Sequence, residues 1–110
     1  MAYDEDLADR IRALIGRERG LSEKRMFGGL GFLINGNLAV SARGHGGLMV
    51  RCDPAATPAV VESGPARRMV MRGREMAGWL QLETADVESD EQLRRWADVG
   101  LAYAKSLPNK

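Results

Sequence analysis

Cysteine and histidine are almost missing: the chain has one of each, Cys52 and His45. A lone cysteine forms no intrachain disulfide, so a reducing compartment is the simpler setting. Structural zinc wants about four Cys or His ligands, which this pair does not supply. Aromatic residues are scarce at 5%, and six methionines take over part of the core-filling role, since thioethers fill irregular gaps without demanding one shape. No apolar run approaches the ~20 residues that span a bilayer. The N-terminus reads Met1-Ala2-Tyr3-Asp4-Glu5-Asp6, acidic where a secretory signal needs positive charge. These absences point to the cytoplasm and away from a membrane partner.

What is present suits one folded domain over residues 1–110. At 45% hydrophobic and 28% charged residues, the chain can bury a core and keep a solvated surface. Net charge is only +1, yet it is unevenly spread. Residues 43–74 hold six arginines against Asp53 and Glu62, whereas residues 75–91 hold six carboxylates and no Lys or Arg. A basic and an acidic pole follow if the fold keeps these stretches apart.

Asp4 to about Arg19 reads as a helix. Leu7, Ala8, Ile11, Leu14 and Ile15 form an apolar stripe, Asp4 can cap the N-terminus, and Gly20 is a natural stop. Leu30–Ile34 and Leu38–Ala42 are apolar runs joined by Asn35-Gly36, the dipeptide that favours a type I′ hairpin turn. Setting Ile34 against Asn37 places Leu33 against Leu38, Phe32 against Ala39 and Gly31 against Val40, with Leu33, Leu38 and Val40 on one face. Leu48–Cys52 extends the meander, with Leu48, Val50 and Cys52 on one side, and a weaker preceding strand covers Glu23–Phe27. Thr57-Pro58 resembles an N-cap followed by proline at the first helical position. A second hairpin follows, Arg68–Arg72 and Met76–Glu83, turning at Gly73-Arg74. Ser89-Asp90-Glu91-Gln92 has the form of a capping box, and behind it Leu93, Trp96, Ala97, Gly100, Leu101 and Ala104 make an amphipathic stripe that Pro108 ends. The expected fold is therefore α+β, two layers. It has an antiparallel sheet of 5–6 strands in the order helix, 3–4 strands, short helix, two-strand hairpin, long helix, with the helices packed on the sheet.

Chemistry-bearing patterns are thin. Cys52 alternates with Leu48 and Val50, which points it into the apolar face as a structural cysteine. His45 lies in a glycine-rich turn, where a solvated side chain is the plainer account. The stretches around Gly29 and Gly44 lack the third glycine and the following helix of a dinucleotide-binding loop. No cofactor or metal site is expected, and no catalytic residue stands out. The one charged cluster, Arg67, Arg68, Arg72 and Arg74, could neutralise phosphates from a β-ribbon. Charge pairing with the adjacent acidic run, and protection of an edge strand, compete with that role. Trp79 alternates away from Leu80 and Leu82, so a large aromatic meets either a helix or an interface.

Lys24-Arg25-Met26-Phe27-Gly28-Gly29-Leu30-Gly31-Phe32-Leu33-Ile34-Asn35-Gly36-Asn37 resembles the Met-Phe-Gly-Gly…Asn-Gly signature of TfoX N-terminal domains. Leu48-Met49-Val50-Arg51, Arg72-Gly73-Arg74-Glu75-Met76-Ala77-Gly78-Trp79 and Ala102-Tyr103-Ala104-Lys105-Ser106-Leu107-Pro108 are similar to later segments of that family, so the likeness spans about residues 3–108. The resemblance implies an α+β fold with an antiparallel sheet and a role in regulating bacterial competence genes. Those regulators carry a C-terminal domain related to helix-hairpin-helix modules, so the chain reads as a stand-alone N-terminal module. The family has no established catalytic residues, and none is carried over. Met26, Phe27, Gly28 and Gly29 are a candidate family-motif surface, with core filling by Met26 and Phe27 as the structural account.

The function expected on these grounds is a non-catalytic regulatory or interaction domain acting through a protein partner, a homodimer included. Nucleic-acid binding through the arginine hairpin 67–74 is the alternative. A small-ligand pocket or enzyme using His45 or Cys52 is the second alternative.

Overall fold

The computed structural model describes residues 3–26, 28–44 and 46–109. Asp4 caps the first helix, α1 (Glu5–Ile15), by accepting a hydrogen bond from the Leu7 amide at 3.1 Å. Four strands follow: β1 (Leu21–Met26), β2 (Gly29–Ile34), β3 (Asn37–Ala42) and β4 (Leu48–Arg51). A 3₁₀ turn at Pro54–Ala56 leads into α2 (Thr57–Ser63), then β5 (Arg67–Met71) and β6 (Arg74–Leu82). A second 3₁₀ turn at Thr84–Val87 precedes α3 (Asp90–Ser106). The expected capping box opens α3: Ser89 Oγ accepts from the Gln92 amide, and Gln92 Oε1 accepts from the Ser89 amide, each at 3.0 Å.

All six strands join one antiparallel sheet in the order β1-β2-β3-β4-β6-β5. The helices share one face of it, with α3 across β2, β3 and β4, and α1 against α3 and β3. The stripe anticipated on α3 is buried residue for residue, and Trp96 is its largest member. Leu30, Phe32, Ile34, Val40, Leu48, Val50, Leu80 and Leu82 receive it from the sheet. The α+β class and two-layer arrangement are as expected, with the sheet at the upper end of the anticipated strand number.

Several local expectations need correction. α1 stops at Ile15, four residues before Arg19, because Gly16 caps it and the apolar stripe is spent. Gly20, at φ 81°, instead turns the chain into β1. That strand begins at Leu21, two residues earlier than expected, and the Phe27 end of the expectation lies outside the described residues. Thr57 is the first residue of α2 and not its cap. Its hydroxyl donates to the Asp53 carbonyl at 3.1 Å and accepts from the Gly78 amide at 2.9 Å, so it ties α2 to β6 and is unavailable for capping. The β5–β6 turn falls at Arg72-Gly73, with φ of 53° and 78°, one residue ahead of Gly73-Arg74.

The most consequential correction lies in the first hairpin. Asn35-Gly36 makes the expected positive-φ turn, at 52° and 85°, and Leu33 does face Leu38. Beyond that point the pairing slips, so Phe32 meets Val40 and Gly31 meets Ser41. Ala39 is an extra residue, a β-bulge of the kind that redirects side chains. Leu38 and Val40 consequently lie on opposite faces, not together: Val40 joins the helix-side core, while Leu38 joins a separate cluster.

Candidate interaction surface

The second cluster occupies the sheet face that no helix covers. Leu38, Met49 and Met69 are buried in it, and Met26, Leu33, Met76 and Trp79 pack half-buried around them. Each strand contributes at least one residue: Met26 from β1, Leu33 from β2, Leu38 from β3, Met49 from β4, Met69 from β5, and Met76 and Trp79 from β6. The alternation of side chains across a pleated sheet sends Leu48 and Val50 to the helices and Met49 to this face. In the same way it separates Trp79 from Leu80 and Leu82. Gly31 leaves the necessary hollow, since a Cβ there would lie 2.9 Å from Met26 Sδ and 3.0 Å from Leu38 Cδ1.

The charged side chains of this face are nearly all basic. Lys24 pairs in register with Gly31, Arg74 stands two residues from Met76, and Arg67 pairs with Gln81. Arg43 reaches across to donate to Gln81 Oε1 at 3.0 Å. Among the described residues the one carboxylate on this side, Glu83, is held by Arg67 at 2.7 Å. Arg51, at the end of β4, is half-buried. Its guanidinium carbon lies 5.1 Å from the Trp79 ring centre and 5.4 Å from that of Tyr103 on α3. Both distances are within cation–π range. Among the described residues its guanidinium donates no hydrogen bond and meets no carboxylate. Two aromatic rings thus hold a planar five-donor group whose donors remain unused.

The residues singled out in sequence are scattered. Arg67 is taken up by Glu83, and Arg68 stands 3.8 Å from Glu75. These are the pairings the neighbouring acidic run suggested. Arg72 sits in the turn with positive φ and does not share a strand face with Arg68, so the arginines do not form one ribbon surface. Met26 enters the uncovered cluster, not the helix-side core. Gly28 is exposed at the β1–β2 turn and Gly29 is buried in β2. Phe27 and His45 lie outside the described residues. Cys52 is buried at 2% exposure, with Sγ 3.5 Å from Thr57 Oγ1. It borders an open cleft of about 360 Å³ between α2 and α3, lined also by Asp53, Val60, Val99 and Tyr103. Trp79 lies opposite Leu80 and Leu82, as its alternation indicated, and that face is the one without a helix.

The family motifs can now be placed on this framework. Met26, Gly28 and Gly29 lie at the β1–β2 junction, and Gly73 to Trp79 runs from the β5–β6 turn along β6. Residues 13–104 of the 110 match the TfoX N-terminal domain. The chain belongs to the TfoX N-terminal domain family. No curated protein matches it. Two motif segments of this TfoX-type domain, around Met26 and around Met76, lie at separate places in the sequence, and both supply methionines to the uncovered face. Among the described residues no helix is long and apolar enough to cross a membrane, and no group of three or more His, Cys, Asp or Glu is placed to hold a metal ion.

Reading the sequence alone misses Leu33, Leu38, Met49, Met69 and Arg51 as members of this surface. One signal was available. Met49, Met69 and Met76 each lie next to helix-facing or charged positions in their strands, so period-2 alternation sends them to a common side. The bulge at Ala39 hides the matching signal from Leu38.

Proposed function

We propose that this TfoX-type domain is a non-catalytic regulatory module that works by protein contact through the uncovered sheet face. The observation that carries this reading is a six-strand face on which, among the described residues, seven apolar side chains cluster, four of them methionines, with no helix over it. Thioether-rich surfaces adapt to varied partners, and contiguous apolar patches on small proteins mark interaction sites. Outer strands of the six-strand sheet stand about 24 Å apart at ~4.8 Å spacing, and strands near six residues run about 20 Å. The resulting area suits a modest, exchangeable contact better than a permanent one. Nucleic-acid binding by residues 67–74 is weakened by the ion pairs that engage Arg67 and Arg68. An enzymatic reading has only the Cys52 cleft, where the thiol is buried against Thr57.

Photo-methionine labelling tests the proposal directly. Cells producing the domain with photo-methionine are irradiated, and adducts are mapped by mass spectrometry. Protein crosslinks through Met26 and Met76 are expected. Their absence, combined with salt-sensitive binding of mixed-sequence duplex DNA in an anisotropy titration, would overturn it.

A further inference from the structure

We infer that the occupant of the uncovered face is an acidic amphipathic segment of a partner protein, with one of its carboxylates received by Arg51. This rests on the protein-contact reading above and adds the chemistry of the partner. The first ground is charge. Lys24, Arg43, Arg51, Arg67 and Arg74 border or lie on the face, and its single carboxylate among the described residues, Glu83, is already paired with Arg67. A basic rim around an apolar centre selects a partner with apolar residues in the middle and carboxylates at the margin.

The second ground is the state of Arg51. A half-buried guanidinium has lost part of its water, yet among the described residues no protein acceptor replaces it. Trp79 and Tyr103 fix the plane of the group, so little side-chain freedom remains to be lost when a ligand arrives. A carboxylate matches the two parallel N–H groups of such a fork. Arg51 also follows Met49 on the same strand, so a segment that seats an apolar side chain over Met49 brings its neighbouring residues within reach of the guanidinium.

Other occupants fit less well. Two copies of this chain packed face to face would bring the two sets of cations together, and like charges across an interface are costly. Single-stranded nucleic acid binds on aromatic rings free to stack bases. Trp79 is the only aromatic in the cluster among the described residues, and Arg51 already lies on it.

The test is selection of a random dodecapeptide display library on the whole 110-residue chain, followed by anisotropy titration of the enriched peptides. Enrichment should favour peptides that combine Asp or Glu with Leu, Ile, Met or Phe. Arg51→Met keeps the aliphatic stem between the two rings and should weaken such a peptide about tenfold or more. Arg51→Lys should restore only part of the loss. The double variant Lys24→Glu/Arg74→Glu changes two exposed positions. It should weaken the same peptide severalfold, which gives an independent reading if Arg51→Met fails to fold. Enrichment of basic or uncharged peptides whose binding is lost in Met76→Glu would overturn the acidic assignment and leave the protein-contact reading standing. A concentration-dependent dimer abolished by Met76→Glu would put a second copy on the face and also overturn it. Salt-sensitive binding of duplex DNA abolished by Arg51→Met would overturn both readings.

Discussion

Gly100 is the point at which α3 rests on the sheet, and Gly100→Ala is the sharpest test of that packing. A Cβ at this position would fall inside the contact shell of the Ala39 carbonyl oxygen. It would also lie 2.9 Å from both the Ala39 carbonyl carbon and Val40 Cγ1. Two effects compete. Replacing glycine by alanine inside a helix gains about 1 kcal/mol from propensity. Forcing a methyl group into a filled contact costs about 1–3 kcal/mol. The upper half of that range applies, because the nearest obstructing atoms belong to the Ala39 backbone and the other to a stiff β-branched side chain. The whole of α3 must lift, together with Trp96, Ala97 and Leu101, which are buried on the same stripe. The net expectation is a loss of about 1–2 kcal/mol, read as a fall of about 5–10 °C in Tm. Urea denaturation followed by tryptophan fluorescence measures it, since Trp96 is only 2% exposed. Ala102→Gly, at an exposed position of the same helix, isolates the propensity term and should cost about 0.5–1 kcal/mol. A Gly100→Ala protein as stable as the parent, or more stable, would refute the claim that α3 seats directly on the bulge.

Two further predictions concern polar contacts. Thr57→Val leaves the buried Gly78 amide without its acceptor, and an orphaned buried donor costs about 1–3 kcal/mol; a shift in urea midpoint at unchanged slope checks it. Glu23 sits 2.6 Å from Arg12. That hydrogen bond and the guanidinium charge hold the Glu23 carboxyl below its usual value of 4.5, against a smaller opposing effect of burial. A depressed carboxyl stabilises the fold above its unfolded pKa, and the benefit is lost as pH falls through the lower folded value. Glu23→Gln should therefore be less stable than the parent at pH 7 by about 0.2–1 kcal/mol, as for other exposed pairs. Thermal melts across the pH range should show that gap closing in acid below the ordinary carboxylate range.

The elements whose signals are local were legible in the sequence. Asp4 and Ser89 cap helices as their side chains dictate, Asn35-Gly36 turns a hairpin, and the α3 stripe is buried as its spacing required. Errors arose where a tertiary contact outweighed a local rule. Thr57 looks like an N-cap, but the Gly78 amide and the Asp53 carbonyl claim its hydroxyl. Arg68 and Arg72 look like one ribbon face, but the positive φ of Arg72 takes it into the turn. The uncovered face was the least legible feature. Its members come from six strands, so no window of sequence holds more than two or three of them. Strict alternation would also have put Leu38 beside Val40. Arg51 gave no signal at all, since Trp79 and Tyr103 are brought to it only by the fold.

Strand β3 is buried along its entire length, from Asn37 to Ala42. Most strands of a two-layer protein have one side on which charge is tolerated. β3 has no such side: Ala39, Val40 and Ala42 pack under the helices, while Leu38 packs in the opposite cluster and Ser41 pairs with Gly31 and Met49 on that same side. Deleting Ala39 would remove the bulge and leave Leu38 and Val40 on their present opposite faces, so the loss would fall on the Ala39 carbonyl against which Gly100 packs. β3 is thus the strand with no expendable side, and its six residues should be the least forgiving stretch of the chain.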